Sequence, residues 1–309
     1  MKLSVVIPTY RRAASLDACL KGLSQQTRGA DEILIVTRVG DEETAALLER
    51  WRQFSVLRAI TELGAGAVSQ YNAGLDASDG DVVAITDDDA VPRPDWLLRI
   101  EEHFVARPDL GGVGGRDYVL EEGKLLEGDA QLVGIVQWFG RVVGNHHIAT
   151  KYHANVDILK GVNMAFRAAA IEKVRFDPEL KGTGAQTSLD MAFSFAVRAR
   201  GWRLIFDPLV AVDHYPARRF DPNQRAVPSM QAIEDSAFNF YLTLRRHLKR
   251  GWRREMALLW AYWVGIERIP GVIRGLLSKL RGNAQGIDMR LAAKRAWMAS
   301  RQIEPAKIG

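Results

Sequence analysis

The stretch VVAITDDD, residues 82–89, joins a short apolar run to three consecutive carboxylates. The apolar part predicts a buried strand over residues 82–86, because strands covered on both faces consist of uninterrupted apolar residues. Asp87 and Asp89 repel each other unless a cation, solvent or a hydrogen-bond network offsets their charges. Carboxylate oxygens suit Mg²⁺ or Mn²⁺, and such an ion keeps positions open for a diphosphate. The alternative is an ordinary acidic turn, in which aspartate is common.

Strands and helices are predicted to alternate on the N-terminal side of this stretch. Apolar runs at residues 3–7, 32–36 and 56–60 predict strands, and helical spacing between them predicts helices, the first with Ser15 as its N-cap. This alternation is typical of βαβ units and a parallel sheet, whose ligands bind at the carboxyl ends of the strands. Three segments are therefore expected to share one crevice: Pro8-Thr9, Thr37-Arg38 and Asp87 to Asp89.

Length and composition restrict the class of protein. The chain has 309 residues, of which 47% are hydrophobic and 26% charged, as expected for one large α/β domain with an appendage or two modest domains. Its single cysteine, Cys19, excludes an internal disulfide framework and a multi-cysteine metal site. The apolar run after Met1 and Lys2 is too short for a signal peptide, so we expect a cytoplasmic protein.

The basic residues are concentrated near the C-terminus. Residues 245–301 contain fourteen lysines and arginines against three acidic residues, a local charge of +11 in a chain whose net charge is +5. Such density indicates a polyanionic partner, either nucleic acid or an anionic membrane surface. Nucleic acid is not expected, because no nucleic-acid-binding motif accompanies the charge.

A change of character after residues 220–228 predicts two parts, a catalytic α/β domain over residues 1–222 and a basic helical region over 223–309. The longest uncharged stretch of the second part, residues 256–266, is too short to span a bilayer, which needs about 20 residues. Its mixture of tryptophan, arginine and aliphatic residues is typical of a helix in the headgroup layer of an anionic leaflet. The alternative is that these helices pack on the catalytic domain and expose their basic side to solvent.

Further motifs accompany the acidic triplet in a fixed order over residues 3–215. They are SVVIPTYRR at 4–12, NAGL at 72–75, TDDDAVP at 86–92 with DWL at 95–97, GVNMAFR at 161–167, and Asp190 followed by GWR at 201–203 and DP at 207–208. Together they resemble family 2 glycosyltransferases with the GT-A fold, of the kind that builds bacterial surface polysaccharides. The resemblance implies a Rossmann-like, mostly parallel central sheet flanked by helices, here with a C-terminal helical extension.

The same resemblance implies an inverting transfer from a nucleoside diphosphate sugar, with a UDP-sugar favoured, to a hydroxyl of a glycan acceptor. If the basic helices bind the membrane, we expect that acceptor to be lipid-linked. Mn²⁺ or Mg²⁺ would be held by Asp89, Asp87 and His214, and Asp190 would be the catalytic base. The nucleotide-sugar would contact Pro8, Thr9, Tyr10, Arg12, Arg38, Asn72, Asp87 and Asp88. The acceptor or sugar pocket would contain Gly115, Arg116, Gly161 and Asn163.

The chain departs from the family pattern in several places. The usual Glu-Asp pair reads Leu189-Asp190, and Ala192 and Ala196 follow where Asp and Arg are common. The second strand ends in Thr37-Arg38 where an aspartate often contacts the base, and Tyr71 replaces a common arginine. The identity of the base therefore stays open. Structural alternatives also stay open: Asp190 could cap a helix, His214 could be a hydrogen-bonded structural residue, and the glycines could serve turns.

Two other functions compete with the transferase interpretation. The order Asp-x-Asp-x-Val from Asp87 also fits haloacid dehalogenase-like phosphatases, in which the first aspartate is a nucleophile. Such an enzyme needs a later Gly-Asp-x-x-x-Asp element, and none follows residue 89. The other alternative is an inactive relative that binds sugar nucleotide or glycan without turnover.

Overall fold

The computed structural model of the chain describes residues 1–217, 229–266 and 268–303, so the predicted boundary at 220–228 lies outside the described residues. The strands are β1 Leu3–Pro8, β2 Glu32–Arg38, β3 Leu57–Glu62, β4 Val82–Thr86, β5 Ala90–Pro92, β6 Leu110–Glu121, β7 Lys124–Leu125, β8 Ile135–Val136, β9 Val142–Val143, β10 Asn163–Arg167, β11 Arg203–His214, β12 Gly265–Ile266 and β13 Ile269–Pro270. The helices are α1 Ala13–Ser24, α2 Glu42–Arg50, α3 Ala67–Ala77, α4 Trp96–Ala106, α5 Ala168–Ile171, α6 Leu189–Ala199, α7 Met230–Arg246, α8 Trp252–Trp263, α9 Val272–Leu280 and α10 Ala284–Ser300.

One large mixed sheet forms the centre of the molecule, with the strand order β3-β2-β1-β4-β10-β6-β11-β5 and β7 paired to β6. The first four strands in this order are parallel, as their alternation with helices predicts. Strand β10 runs antiparallel to both β4 and β6, which pairs Asn163 with Thr86 and Met164 with Gly114. The α/β fold class is confirmed.

Helices cover both faces of the sheet, so the central strands are buried on both sides. Along β1, Val5 belongs to the apolar cluster that contains residues of α1 and α4, whereas its neighbour Val6 belongs to the cluster that contains residues of α3, α6 and α7. Successive side chains of a strand point to opposite faces, which explains this division. All six residues of β1 and all five of β4 are buried, as their apolar sequences predict.

The first helix starts earlier than the sequence predicts. Helix α1 begins at Ala13 with Arg12 in the N-cap position, and Ser15 lies inside the helix, so the assignment of Ser15 as N-cap is wrong. The Arg12 side chain makes no capping bond. Its guanidinium instead contacts the acidic triplet, an attraction between distant segments that local sequence does not reveal.

The C-terminal helices pack against the catalytic part of the chain. Asp177, in the loop before α6, contacts Arg246 at 3.0 Å and His247 at 2.8 Å at the end of α7. At the start of α8, Arg253 donates to the carbonyl of Val136 and to the carboxylate of Asp157. Within the described ranges, none of the helices combines the length and the apolar character that crossing a membrane requires.

Candidate functional site

A cavity of about 810 Å³ opens at the carboxyl edge of the parallel strands. The segments that the sequence places in one crevice do meet there. Ten of the predicted site residues line this cavity: Pro8, Thr9, Tyr10, Arg12, Arg38, Asp87, Asp89, Gly161, Asp190 and His214.

The three consecutive carboxylates occupy three different environments. Asp87 is half-buried on the cavity wall and accepts a hydrogen bond of 2.7 Å from the hydroxyl of Tyr71. Asp88 points into the protein, where it accepts from Thr9 Oγ1 at 2.7 Å and lies 2.9 Å from Arg12 Nη2. Burial raises the pKa of Asp88 to about 7, although the charge of Arg12 opposes the shift.

Asp89 is held on the cavity wall by groups that favour its charged form. Its Oδ2 accepts from the backbone amide of Ala217 at 2.9 Å and lies 3.3 Å from Arg12 Nη1, and its Oδ1 lies 3.3 Å from Nε2 of His214. Burial alone would raise the pKa of Asp89, but His214 and Arg12 lower it to about 2. The carboxylate is therefore ionised at neutral pH.

A chain of charges continues from Asp89 through His214 to Asp117 and Lys160, and the last two of these residues were not identified from the sequence. Asp117 contacts the ammonium of Lys160, and its Oδ2 lies 3.4 Å from Nδ1 of His214. Burial alone would lower the pKa of His214, but its bonds to Asp117 and Asp89 raise it to about 9. The available signal was Asp117 itself, a charged residue inside an otherwise buried strand, which requires a partner.

Asp190 lines the same cavity and lies in the first turn of α6. Its Oδ1 accepts from the amide of Met191 at 2.8 Å and its Oδ2 from the amide of Gly161 at 3.2 Å. Burial raises the pKa of Asp190 despite these two bonds, which makes the carboxylate a stronger base. Ser188, two residues before Asp190, has a φ angle of +68°. Backbone strain of this kind is common at functional sites.

Aromatic and cationic side chains form the end of the cavity next to β1 and β2. The guanidinium of Arg38 lies 4.8 Å from the centre of the Tyr10 ring, donates to Gln70 Oε1 at 3.2 Å and donates to the carbonyl of Thr183 at 3.2 Å. Gln70 in turn donates to the carbonyls of Thr9 and Val36. A flat ring and a cation held in this way can contact a nucleobase or a phosphate.

Five predicted site residues do not line the cavity: Asn72, Asp88, Gly115, Arg116 and Asn163. Asn72 exchanges two hydrogen bonds, of 2.8 and 2.9 Å, with the backbone of Phe176. Asn163 is almost fully buried, accepts from the indole of Trp96 at 2.8 Å and donates to the carbonyl of Val210 at 2.8 Å. In this structure the side-chain amides of Asn72 and Asn163 bond to neighbouring segments behind the cavity wall.

Gly115 and Arg116 also contact other parts of the protein behind the cavity wall. A Cβ atom on Gly115 would lie 1.6 Å from the carbonyl oxygen of Val210, so this glycine is required by the close approach of β6 and β11. Arg116 donates to the carbonyl of His147 at 3.2 Å, and its guanidinium lies 4.4 Å from the ring centre of Tyr118. Contacts of these residues with a ligand stay predictions.

The carboxylates fit a divalent ion that is shared with a substrate. Across the described parts of the chain, no group of three or more His, Cys, Asp and Glu side chains is arranged as a complete metal site. Mg²⁺ is commonly held by one or two carboxylates together with substrate phosphates, and Asp87 and Asp89 both face the cavity. His214 could join them only after a ring nitrogen leaves its carboxylate partners.

Part of the chain is similar in sequence to curated glycosyltransferases. The glucosyl-dolichyl phosphate glucuronosyltransferase of Haloferax volcanii is 30% identical over 118 residues, which cover 37% of this chain and 38% of the relative. The match thus spans well under two thirds of that relative's length.

Two solved structures share the fold. The mannosyltransferase PcManGT from Pyrobaculum calidifontis, in complex with GDP-Man and Mn²⁺, has a TM-score of 0.59 at 17% identity and covers 99% of this chain and 77% of its own. S. aureus TarS 1-349, in complex with UDP-GlcNAc, has a TM-score of 0.63 at 17% identity and covers 97% and 79%. The model of glycosyl transferase family 2 matches residues 4–175, more than half of the chain. The chain therefore belongs to glycosyl transferase family 2 and has the GT-A fold.

Proposed function

We propose that the protein is an inverting glycosyltransferase that moves a sugar from a nucleoside diphosphate sugar, with UDP favoured, to a hydroxyl of a glycan acceptor. The observation that carries the proposal is one cavity lined by Asp87, by the ionised carboxylate of Asp89 and by the carboxylate of Asp190, whose pKa is raised by burial. Family membership excludes the phosphatase alternative. An inactive relative remains the competing proposal, and turnover distinguishes the two.

In the proposed complex, the nucleoside occupies the end of the cavity next to Tyr10 and Arg38. The diphosphate lies at Asp87 and Asp89, where its negative charge needs compensation. A Mn²⁺ or Mg²⁺ ion held by these two carboxylates would supply that compensation as a Lewis acid while the diphosphate departs. His214 and Arg12, the cations already bound to Asp89, lie on the same wall and can donate to phosphate oxygens.

The proposed chemical step is a single displacement at the anomeric carbon. An acceptor hydroxyl attacks the anomeric carbon on the face opposite the diphosphate, so the new glycosidic bond forms as the bond to the diphosphate oxygen breaks. The hydroxyl proton passes to Asp190, whose raised pKa suits a general base. The amides of Gly161 and Met191 hold the carboxylate in place during the transfer.

We also propose that the acceptor is lipid-linked and that the enzyme acts on the cytoplasmic face of the cell membrane in surface polysaccharide synthesis. The support is the local charge of +11 over residues 245–301, which an anionic leaflet attracts. In this proposal residues 1–222 carry the catalytic function, and residues 223–309 carry the basic helices that bring the cavity to the acceptor.

The test is donor turnover by the full chain and by Asp190→Asn, with Asp207→Asn as the control. Asp207 is a partly buried aspartate bonded to His103 and does not line the cavity. We expect Asp190→Asn to bind the UDP-sugar as wild type does and to lose about 10²–10⁴ in the transfer rate. NMR of the product should show inversion at the anomeric carbon. Retention of configuration, or full activity of Asp190→Asn, would contradict the mechanism, and binding without turnover in the wild type would support the inactive relative.

A further inference from the structure

Helix α9 exposes its apolar side. Ile273, Leu276, Leu277 and Leu280 recur at the spacing of a helical stripe, and all four are exposed, Leu280 by 84% and Leu276 by 58%. A stripe of this kind normally faces a core. In this helix it faces outward over more than two turns.

The opposite side of α9 makes the contacts with the rest of the protein. A Cβ on Gly275 would lie 2.5 Å from Arg290 Cγ, and one on Gly286 would lie 2.4 Å from Ser278 Oγ, so α9 and α10 pack closely through small residues. At about 100° per residue, Gly275 and Ser278 project roughly opposite to the four apolar residues. The stripe therefore points away from the protein.

Basic residues border the stripe on both sides. With the same helical geometry, Lys279 lies on one edge, and Arg274 and Arg281 lie on the other. All three are exposed, and residues 272–281 contain no acidic residue. The resulting surface, apolar in the middle and cationic at its edges, is the arrangement of helices that lie in the headgroup layer of an anionic leaflet.

Exposed tryptophans lie on the neighbouring helix. Of the eight tryptophans only Trp138, Trp252 and Trp263 are exposed. Trp252 and Trp263 belong to α8, which contacts α9, and Trp138 lies beside Phe139, whose ring is 5.0 Å from that of Trp260 in α8. Tryptophan favours the boundary between water and lipid, where its apolar ring and its N–H are both accommodated.

We infer that α9 is the membrane-docking element: its stripe of Ile273, Leu276, Leu277 and Leu280 inserts into the headgroup layer of an anionic bilayer, and Arg274, Lys279 and Arg281 bind the lipid phosphates. This inference rests on the proposed membrane location and assigns it to one face of one helix. A second copy of the chain is a poorer occupant, because the basic borders of two such stripes would repel each other.

The single cysteine gives a direct test in the full chain. Cys19 is fully buried, so an environment-sensitive fluorophore can be attached selectively to Leu280→Cys. Leu209→Cys is the matched control, because Leu209 is a leucine in the catalytic part that is 58% exposed. With phosphatidylglycerol vesicles we expect the probe at position 280 to shift to shorter wavelength and to brighten severalfold. The probe at position 209 should not respond, and vesicles of phosphatidylcholine alone should have little effect on either.

Vesicle flotation of unlabelled protein completes the test. The pair of substitutions Leu276→Ser and Leu280→Ser should weaken partitioning into anionic vesicles by about tenfold or more, whereas Leu209→Ser should leave it unchanged. Equal partitioning of both variants, or equal probe responses at positions 280 and 209, would overturn the inference. So would a dimer in solution that the α9 substitutions dissociate without any vesicle response. Nucleotide binding by the same preparations reports on the transferase site separately, so failure of one proposal is distinguishable from failure of the other.

Discussion

Replacement of Arg12 by alanine tests how the acidic triplet is stabilised. The guanidinium of Arg12 lies 2.9 Å from Asp88 Oδ1 and 3.3 Å from Asp89 Oδ2, and the side chains of these carboxylates are 0% and 1% exposed. Removal of one partner of a buried ion pair costs about 3–5 kcal/mol, because the carboxylate left behind must either stay charged without its partner or take up a proton. The Arg12 side chain is itself 24% exposed, so we expect the lower end, about 3 kcal/mol of unfolding free energy at pH 7.

The assay is urea unfolding followed by tryptophan fluorescence, with and without Mn²⁺. Arg11→Ala is the matched control, because Arg11 is the adjacent arginine and is exposed. The unfolding free energy of Arg11→Ala should fall by no more than about 0.5 kcal/mol. If Asp87 and Asp89 bind the ion together with a diphosphate, Mn²⁺ and UDP at about a hundred times the dissociation constant of their joint binding should restore about 2.7 kcal/mol of stability to Arg12→Ala. Equal losses in the two variants would refute the proposed role of Arg12, and a missing response to Mn²⁺ with UDP would refute the metal site.

Two further substitutions test the packing around the site and the attachment of α7. Gly115→Ala should lower the unfolding free energy by about 3 kcal/mol, because its Cβ would lie 1.6 Å from the carbonyl oxygen of Val210. The control, Gly144→Ala, has nothing within 4 Å of its Cβ and should lower the unfolding free energy by less than about 1 kcal/mol in the same urea titration. Asp177→Asn tests the attachment of α7. Burial alone would raise the pKa of Asp177, but the hydrogen bond from His247 and the charge of His247 lower it to about 2. The pKa in the unfolded chain is about 3.9. Above pH 4 the unfolding free energy of the wild type should therefore exceed that of Asp177→Asn by about 2 kcal/mol. This difference should disappear as the pH falls through 2. A difference that does not depend on pH would contradict the proposed role of the Asp177 carboxylate.

The sequence is sufficient to predict the parts of the fold that follow from local patterns. The apolar run of β4 can only be a buried segment, and its carboxylates then fall at the carboxyl edge of the sheet. The same rule correctly groups Thr9, Arg38 and Asp87 around one cavity. These predictions succeed because strand burial and the common edge of parallel strands depend on short sequence windows.

The partners of individual side chains were not predictable, because they depend on tertiary contacts. Arg12 lies next to a predicted helix, yet its guanidinium contacts carboxylates 76 and 77 residues further along the chain. The pairing of Lys160 with Asp117 joins β6 to the loop before β10, and nothing in either segment specifies the other. Asn72 and Asn163 have side chains that suit a ligand, but in this structure they satisfy buried backbone groups.

Helix α9 shows a second limit of sequence patterns. Its periodicity predicts an amphipathic helix, and such a helix would normally turn its apolar side inward. Gly275 and Ser278 let α10 approach the other side, so the apolar residues remain outside. The direction of an amphipathic face is therefore decided by the fit to the neighbouring helix.

The proposed function requires the carboxylate site to bind a nucleoside diphosphate together with a divalent ion. This requirement can be measured by calorimetric titration of UDP, GDP and dTDP, with and without Mn²⁺, into the wild type and Asp89→Ala. We expect tight binding of one nucleotide, UDP, in the wild type with Mn²⁺ and at least a tenfold loss of affinity when the ion or the Asp89 carboxylate is removed. Equal binding of UDP with and without the ion, and in both proteins, would contradict it.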